Sequence, residues 1–244
     1  MTAAAAAVIE ISGLRKQYGG LRPLRLDALV VGDRERVSLA GIDAAAAEAL
    51  TSLLTGAALP DEGVVRVLGE STAAIADEQA WLASLDRFGI VSPRAVLLTH
   101  STLAQNLAIP FTLEIEPVPA PVMARVRALA EEVGLDERLL ETRVAELPPE
   151  AQARVHLARA VAHGPRLLVV EHPTAMVPPG AGPALGADLA RVAQARGLAV
   201  LAVTSDAAFA AALGSRHFTL DPASGRVTEA RGWTRRFLRL VVRD

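Results

Sequence analysis

Glu35-Arg-Val-Ser-Leu-Ala-Gly-Ile-Asp-Ala-Ala-Ala-Ala-Glu-Ala-Leu50 is the stretch whose reading decides the fold. A short apolar strand, Val37 to Ala40, runs into Gly41. The spacing predicts a helix from about Ala44 to Thr55, stopped by Gly56. A phosphate-binding loop sits on such a strand–turn–helix, with the pattern G-x-x-x-x-G-K-[ST]. Its glycines free backbone N–H groups, its Lys reaches the β/γ-phosphates and its hydroxyl holds Mg²⁺. Here the frame is present and the chemistry is missing. Gly41 fits the first glycine, while Ala46 stands for the second, Ala47 for the Lys and Glu48 for the hydroxyl. An alanine-rich helix after a strand is by itself an ordinary core element. The reading therefore depends on whether the rest of the chain supplies the partners of such a loop.

The chain has 244 residues, which suits one large α/β domain or one with a subdomain. It is 51% hydrophobic, enough for a sizeable core, and its formal net charge of −2 does not mark a nucleic-acid binder. There is no cysteine, which excludes disulfide and thiol chemistry and suits a reducing compartment. No apolar run reaches the length of about 18 residues expected of a membrane span. Residues 3–7 are all Ala without a basic flank, and are read as a frayed N-terminus and not a signal peptide.

Alternation and composition predict strands over Val8–Ser12, Leu24–Val31, Arg34–Ala40, Val64–Leu68 and Phe88–Val91. The texture changes at Pro93. Leu97 to Ile109 is apolar up to Pro110. Pro117, Pro119 and Pro121 form a stiff connector, and Val122 to Val133 has helical spacing closed by Gly134. Asp136 is placed to cap a next helix, and Pro148-Pro149 opens a third that runs to about His163. Leu167–Val170 and Leu198–Thr204 are buried strand types, separated by a helix over Ala184–Arg196. His217–Leu220 and Arg226–Glu229 read as a terminal hairpin.

The order of these landmarks resembles the nucleotide-binding subunit of ABC transporters over roughly residues 8–230. Leu14-Arg-Lys-Gln-Tyr-Gly-Gly20 is similar to the family's segment carrying the aromatic that stacks on adenine, and Tyr18 matches that aromatic. Pro60-Asp-Glu-Gly-Val-Val-Arg-Val-Leu-Gly69 resembles the strand after the first helix. Leu97 to Pro110 resembles the start of the helical subdomain, which faces the membrane subunit. Arg154-Val-His-Leu-Ala-Arg-Ala160 looks like the helix after the signature, and Pro165 to Thr174 like the Walker B strand.

The resemblance implies an α/β fold of the ABC-type P-loop NTPase kind. Its mixed sheet core and antiparallel β-subdomain would carry an inserted α-helical subdomain. The implied division is 1–92 with 163–230 for the core, 93–162 for the helices and 231–244 for an amphipathic, Arg-rich tail.

The catalytic positions depart from the family almost one by one. Besides Ala47 and Glu48, the Gln that senses Mg²⁺ and attacking water falls on Pro93. The signature L-S-G-G-Q becomes Leu147-Pro148-Pro149-Glu150-Ala151, where two prolines delete N–H donors and Glu150 adds a repelling charge. The Walker B Asp is Glu171, the general-base Glu is His172, the Asp of the next loop is Pro178 and the switch His is Ser205.

Asp43 is a preferred N-cap. Its carboxylate is expected to accept the N–H of Ala45 or Ala46 and to meet the positive end of the helix. In that role Asp43 does internally what a bound phosphate does in active relatives, and Tyr18, Gly41, Asp43 and Ala46 are vestiges of a cofactor site. The bland readings stand beside these. Tyr18 packs at a sheet edge, Glu171 with His172 is a structural pair and not a metal site, and the tail packs Trp233 and Phe237 on its own domain or a second copy.

The expectation is a subunit homologue that does not hydrolyse ATP and serves a transport complex as a structural or regulatory partner. It would form a homo- or heterodimer, without nucleic acid, metal or bound cofactor. It would contact an ABC permease through Leu97, Leu98, Leu103 and Leu107, and would be cytoplasmic, at the inner face of the membrane through that permease. The rivals are an ATPase with a deviant site that uses ATP and Mg²⁺, and a soluble interaction module.

Overall fold

A computed structural model describes residues 7–230. The tail 231–244, with Trp233 and Phe237, and most of the N-terminal Ala run lie outside the described residues.

Two sheets form the frame. The first is antiparallel: β1 (Ala7–Lys16) lies between β2 (Leu24–Gly32) and β4 (Glu62–Val67), and β5 (Glu70–Ser71) pairs on β4. The second has six strands in the order β10 (Val227–Glu229), β9 (Arg216–Leu220), β3 (Arg36–Ala40), β8 (Ala199–Val203), β7 (Leu167–Glu171) and β6 (Phe88–Val91). Its strands are parallel except for the β9–β10 hairpin.

Strands β7 and β8 are buried along their whole length. Their side chains alternate between two apolar clusters because neighbouring residues point to opposite faces. Leu167, Val169, Leu201 and Val203 face α1 (Ala44–Leu54) and the antiparallel sheet, where they meet Leu50, Leu53 and Leu54. Leu168, Val170, Val200 and Ala202 face the other way, toward α5 (Pro149–Val161), α6 (Gly182–Arg196) and α7 (Ala207–Leu213). That second cluster continues without a break into α3 (Leu103–Ala108) and α4 (Ala120–Glu132). The helices between 93 and 162 therefore share their apolar core with the face of the parallel sheet.

Several boundaries differ from the sequence reading. The apolar run from Leu97 to Ile109 is helical only from Leu103, where Thr102 and Gln105 close a capping box. Asp136 accepts the N–H of Arg138, but caps a single 3₁₀ turn and not a full helix. Two helices were not read from the sequence: α2 (Glu78–Leu85), capped by Asp77, and α7, capped by Asp206.

Candidate functional site

The carboxyl ends of the parallel strands collect most of the positions singled out above. Gly41 follows β3, Ser205 follows β8, Glu171 and His172 close β7, and Pro93 follows β6. This edge of an open α/β sheet is where ligands of such folds sit.

Gly41 has φ +87°, and a Cβ there would lie 2.2 Å from the carbonyl oxygen of Leu220 on β9. Only glycine fits both the angle and the space. The chain then enters α1 with Asp43 extended, and the Asp43 carboxylate accepts the N–H of Ala46 at 2.8 Å. Ala46 and Ala47 turn their methyl groups into the cluster below, with Ala47 only 1% exposed. No ammonium is available at 47, and the first turn is closed by the chain's own acid.

A cleft of about 450 Å³ opens beside this turn. Tyr18, Pro23, Ile42, Asp43, Ala46 and Leu220 are among the residues that line it. Burial raises the Tyr18 phenol above its ordinary range, and the Asp43 charge adds to the shift. The structure thus brings Tyr18, Gly41, Asp43 and Ala46 to one place.

The second half of the site centres on Glu171 and on Arg94, a residue that the sequence reading missed. The side chain of Glu171 is buried at the end of β7. It accepts hydrogen bonds from the Thr51 hydroxyl, from Ser92 Oγ at 2.6 Å and from Arg94, whose Nη2 lies 2.8 and 2.7 Å from the two carboxylate oxygens. Arg94 Nε adds a bond at 3.1 Å, and its Nη1 reaches Glu48 Oε1 at 2.8 Å. Burial pushes the Glu171 carboxyl up, but the donors Ser92, Thr51 and Arg94 together hold it below the ordinary range.

One guanidinium therefore bridges the carboxylates at 48 and 171. The clue in the sequence was Glu171 itself, because an acid that closes a fully apolar strand needs a cation. Pro93 lies next to Arg94 and offers no polar side chain.

His172 takes a left-handed conformation, φ +40°, and its buried Nε2 has no hydrogen-bond partner. Such a backbone is strained for a residue with a Cβ. Ser205 and Pro178 are exposed on loops. Among the described residues no group of three or more His, Asp or Glu side chains is placed to hold a metal ion.

The signature-like segment stands apart. Pro148 and Pro149 start α5 without a side-chain cap, and Leu147 is buried with its carbonyl held by Gln152 at 2.9 Å. Among the described residues no hydrogen bond or ion pair links Leu147, Pro148, Pro149, Glu150 or Ala151 to Glu48, Arg94 or Glu171.

The proposed contact residues need correction. Leu103 and Leu107 are 0% exposed and Leu97 is 9% exposed, all within the helical core, so they present no surface. Leu98 is 42% exposed, and its backbone is pinned from both sides by the buried Asn106 amide.

No family model matches the chain. Individual proteins do. The phosphonates import ATP-binding protein PhnC of Anaeromyxobacter dehalogenans is 33% identical over 199 residues, 79% of this chain and 40% of that protein. The Fe(3+) ions import ATP-binding protein FbpC of Mesorhizobium japonicum is 30% identical over 201 residues, 82% of this chain and 54% of that one. The methionine import ATP-binding protein MetN of Brucella abortus is 28% identical over 220 residues, 90% and 58% respectively. The chain spans about half the length of the curated relatives it matches.

Among solved structures, cbiO1 of Clostridium perfringens is described as part of the ABC transporter complex cbiONQ. It has a TM-score of 0.77 at 17% identity, over 97% of this chain and 92% of its own. The dimeric ATP-binding cassette MJ0796 bound to ADP and Pi has a TM-score of 0.71 at 22% identity, over 92% and 99%.

The fold is thus that of an ABC nucleotide-binding domain, a mixed sheet and an antiparallel sheet with helices. The relatives it matches are ATP-binding proteins of import systems, and the chain is homologous to them over 79–82% of its own length.

Proposed function

We propose that this chain is an ATP-binding-cassette subunit that does not hydrolyse ATP, and that it serves a transport complex as a structural or regulatory partner. The observation that carries this is the closed first turn of α1, where the Asp43 carboxylate takes the N–H of Ala46 that a phosphate oxygen would receive. The residues around it do not fit a magnesium-bound triphosphate. Ala47 brings no cation, Glu48 brings an anion, and Arg94 already neutralises Glu171.

The missing Lys matters more than the added Glu. A charge-assisted contact is roughly twice as strong as a neutral one. Repulsion from the half-exposed Glu48 is screened by water. No cofactor is expected to bind tightly.

Within this reading, residues 1–92 and 163–230 act as the core and 93–162 as the helical unit. The family builds each ATP site from one subunit's loop and the other's signature. With Pro148 and Pro149 in its signature, this chain would supply neither half. Dimerisation, with itself or with an active relative, is then a matter of shape. A permease is the second partner. Its docking is supported by a cleft of about 340 Å³ whose lining includes Ile90, Ala95, Ile109, Pro110 and His156, with Val96 and Leu98 exposed nearby. On this reading the chain works on the cytoplasmic side of a membrane. The relatives are named for phosphonates, Fe(3+) ions and methionine, three unlike cargoes, so no cargo is carried over.

Calorimetry with ATP, with and without Mg²⁺, tests the first half, together with a phosphate-release assay. Neither submicromolar binding nor turnover is expected, and either one overturns the reading. Purification of the native complex tests the second half: a co-purifying permease is expected, and a chain that purifies without one refutes it.

A further inference from the structure

We infer that Arg94 is a built-in cation standing where an active relative holds its metal ion, and that it latches the β6–α3 connection to α1 and β7 without any ligand. Three positions carry this assignment. Glu48 occupies the place of the metal-binding hydroxyl, Glu171 that of the metal-binding acid, and Pro93, beside Arg94, that of the metal-sensing Gln. The guanidinium lies against both carboxylates, 2.8 Å from Glu48 and 2.7 Å from Glu171.

The oxygen set is one that a hard cation would also accept: two carboxylates with the hydroxyls of Thr51 and Ser92, which bond to Glu171. A guanidinium offers fixed, planar donors to the same oxygens, but it is tethered to the chain and cannot leave. Glu171 is buried, so removal of Arg94 leaves a buried charge uncompensated. Arg94 also donates its backbone N–H to Ser92 Oγ at 3.2 Å, which ties the loop to the same acid. The turn that leads into the helical layer is thereby fixed to the sheet edge by the chain alone. In this chain Arg94 is a positioning residue.

Hydrogen exchange of the full chain tests this, and it needs no nucleotide and no permease. Its outcome is therefore separate from that of the transport reading. In the wild-type protein, exchange over residues 92–98 is expected to ignore millimolar magnesium chloride and EDTA alike. Arg94→Met should speed exchange there by about tenfold or more while β7 and β8 stay protected. Magnesium chloride should slow it again, because Glu48 and Glu171 regain a cation, and R94M/E48Q should lose that response.

Should R94M not fold, Glu48→Gln alone serves as the readout, since it keeps the buried pair and frees only one arm of the guanidinium. About a twofold acceleration is expected from it. Wild-type exchange in R94M, or in E48Q where R94M does not fold, overturns the latch. A wild-type loop that already responds to magnesium, or an opened R94M loop that ignores it, overturns the metal substitution.

Discussion

Asp43 Oδ1 lies 2.8 Å from the backbone nitrogen of Ala46, so the first turn of α1 is closed by an acid three residues upstream. The contact is an N-cap at the positive end of a helix dipole. Asp43→Ala is expected to cost about 1 kcal/mol of stability, and Asp43→Asn much less. Urea denaturation of the two variants measures this. Equal midpoints for Asp43→Ala and the wild type would show that the cap carries no weight.

Gly41 looks like a relic of phosphate binding, but the structure gives it another task. At φ +87° its α-carbon faces the Leu220 carbonyl of the adjacent strand, with no room for a methyl group. Backbone cannot yield as a flexible side chain would. Gly41→Ala should therefore destabilise by about 1–3 kcal/mol, from the strained angle and the collision together. Thermal unfolding of this variant is the check, and an unchanged transition would return Gly41 to the list of functional relics.

Acid should weaken the protein through His156. Burial lowers its pKa to about 4 from an ordinary 6.5, and the neighbouring Arg159 adds to the shift. The unfolded chain then takes up the proton first, so stability is complete above pH 6.5 and is lost as pH falls toward 4. The buried His217 is lowered in the same direction and adds to the slope. The lowered Glu171 carboxyl acts later, below the ordinary Glu value of 4.5. His156→Leu should flatten part of the fall in urea midpoint across that window while leaving the value at neutral pH nearly unchanged. A variant with the wild-type profile would assign the slope elsewhere.

What the sequence made legible follows from signal strength. Leu167–Val170 and Leu198–Thr204 are continuous apolar runs between polar or Gly/Pro punctuation, so the centre of the parallel sheet is plain. Helix α2 buries no side chain, and so carries no apolar stripe to read. Helix α7 is mostly alanine, which makes every face alike, and only Asp206 and Gly214 mark its ends. Leu103 and Leu107 misled for another reason. An apolar helical face has the same spacing whether it meets its own core or a partner. Arg94 was invisible because its partners lie on α1 and β7, far away in sequence, and a lone Arg after a Pro belongs to no local pattern.

Under the proposed reading, giving the chain ATP chemistry should require more than one change. In Ala47→Lys alone, the new ammonium starts from a position that is 1% exposed and must reach outward along its stem, past a cap that Asp43 still closes. Glu48 and Arg94 also remain paired beside that turn, which on the proposed reading is the place of metal and phosphate. No measurable Mg-ATP binding is expected from A47K, even where circular dichroism shows an intact fold. The triple variant A47K/E48S/R94A frees the buried Glu171 for a metal ion and restores the hydroxyl. It should bind Mg-ATP at least about tenfold more tightly than the weakest affinity that the calorimetry detects, a margin of roughly 1.4 kcal/mol over the silent A47K. The changes act on one shared cluster, so their effects should not add. Calorimetry across the series separates the cases. Tight binding by A47K alone would mean that the missing Lys was the sole obstacle and that the Arg94 bridge is irrelevant to nucleotide.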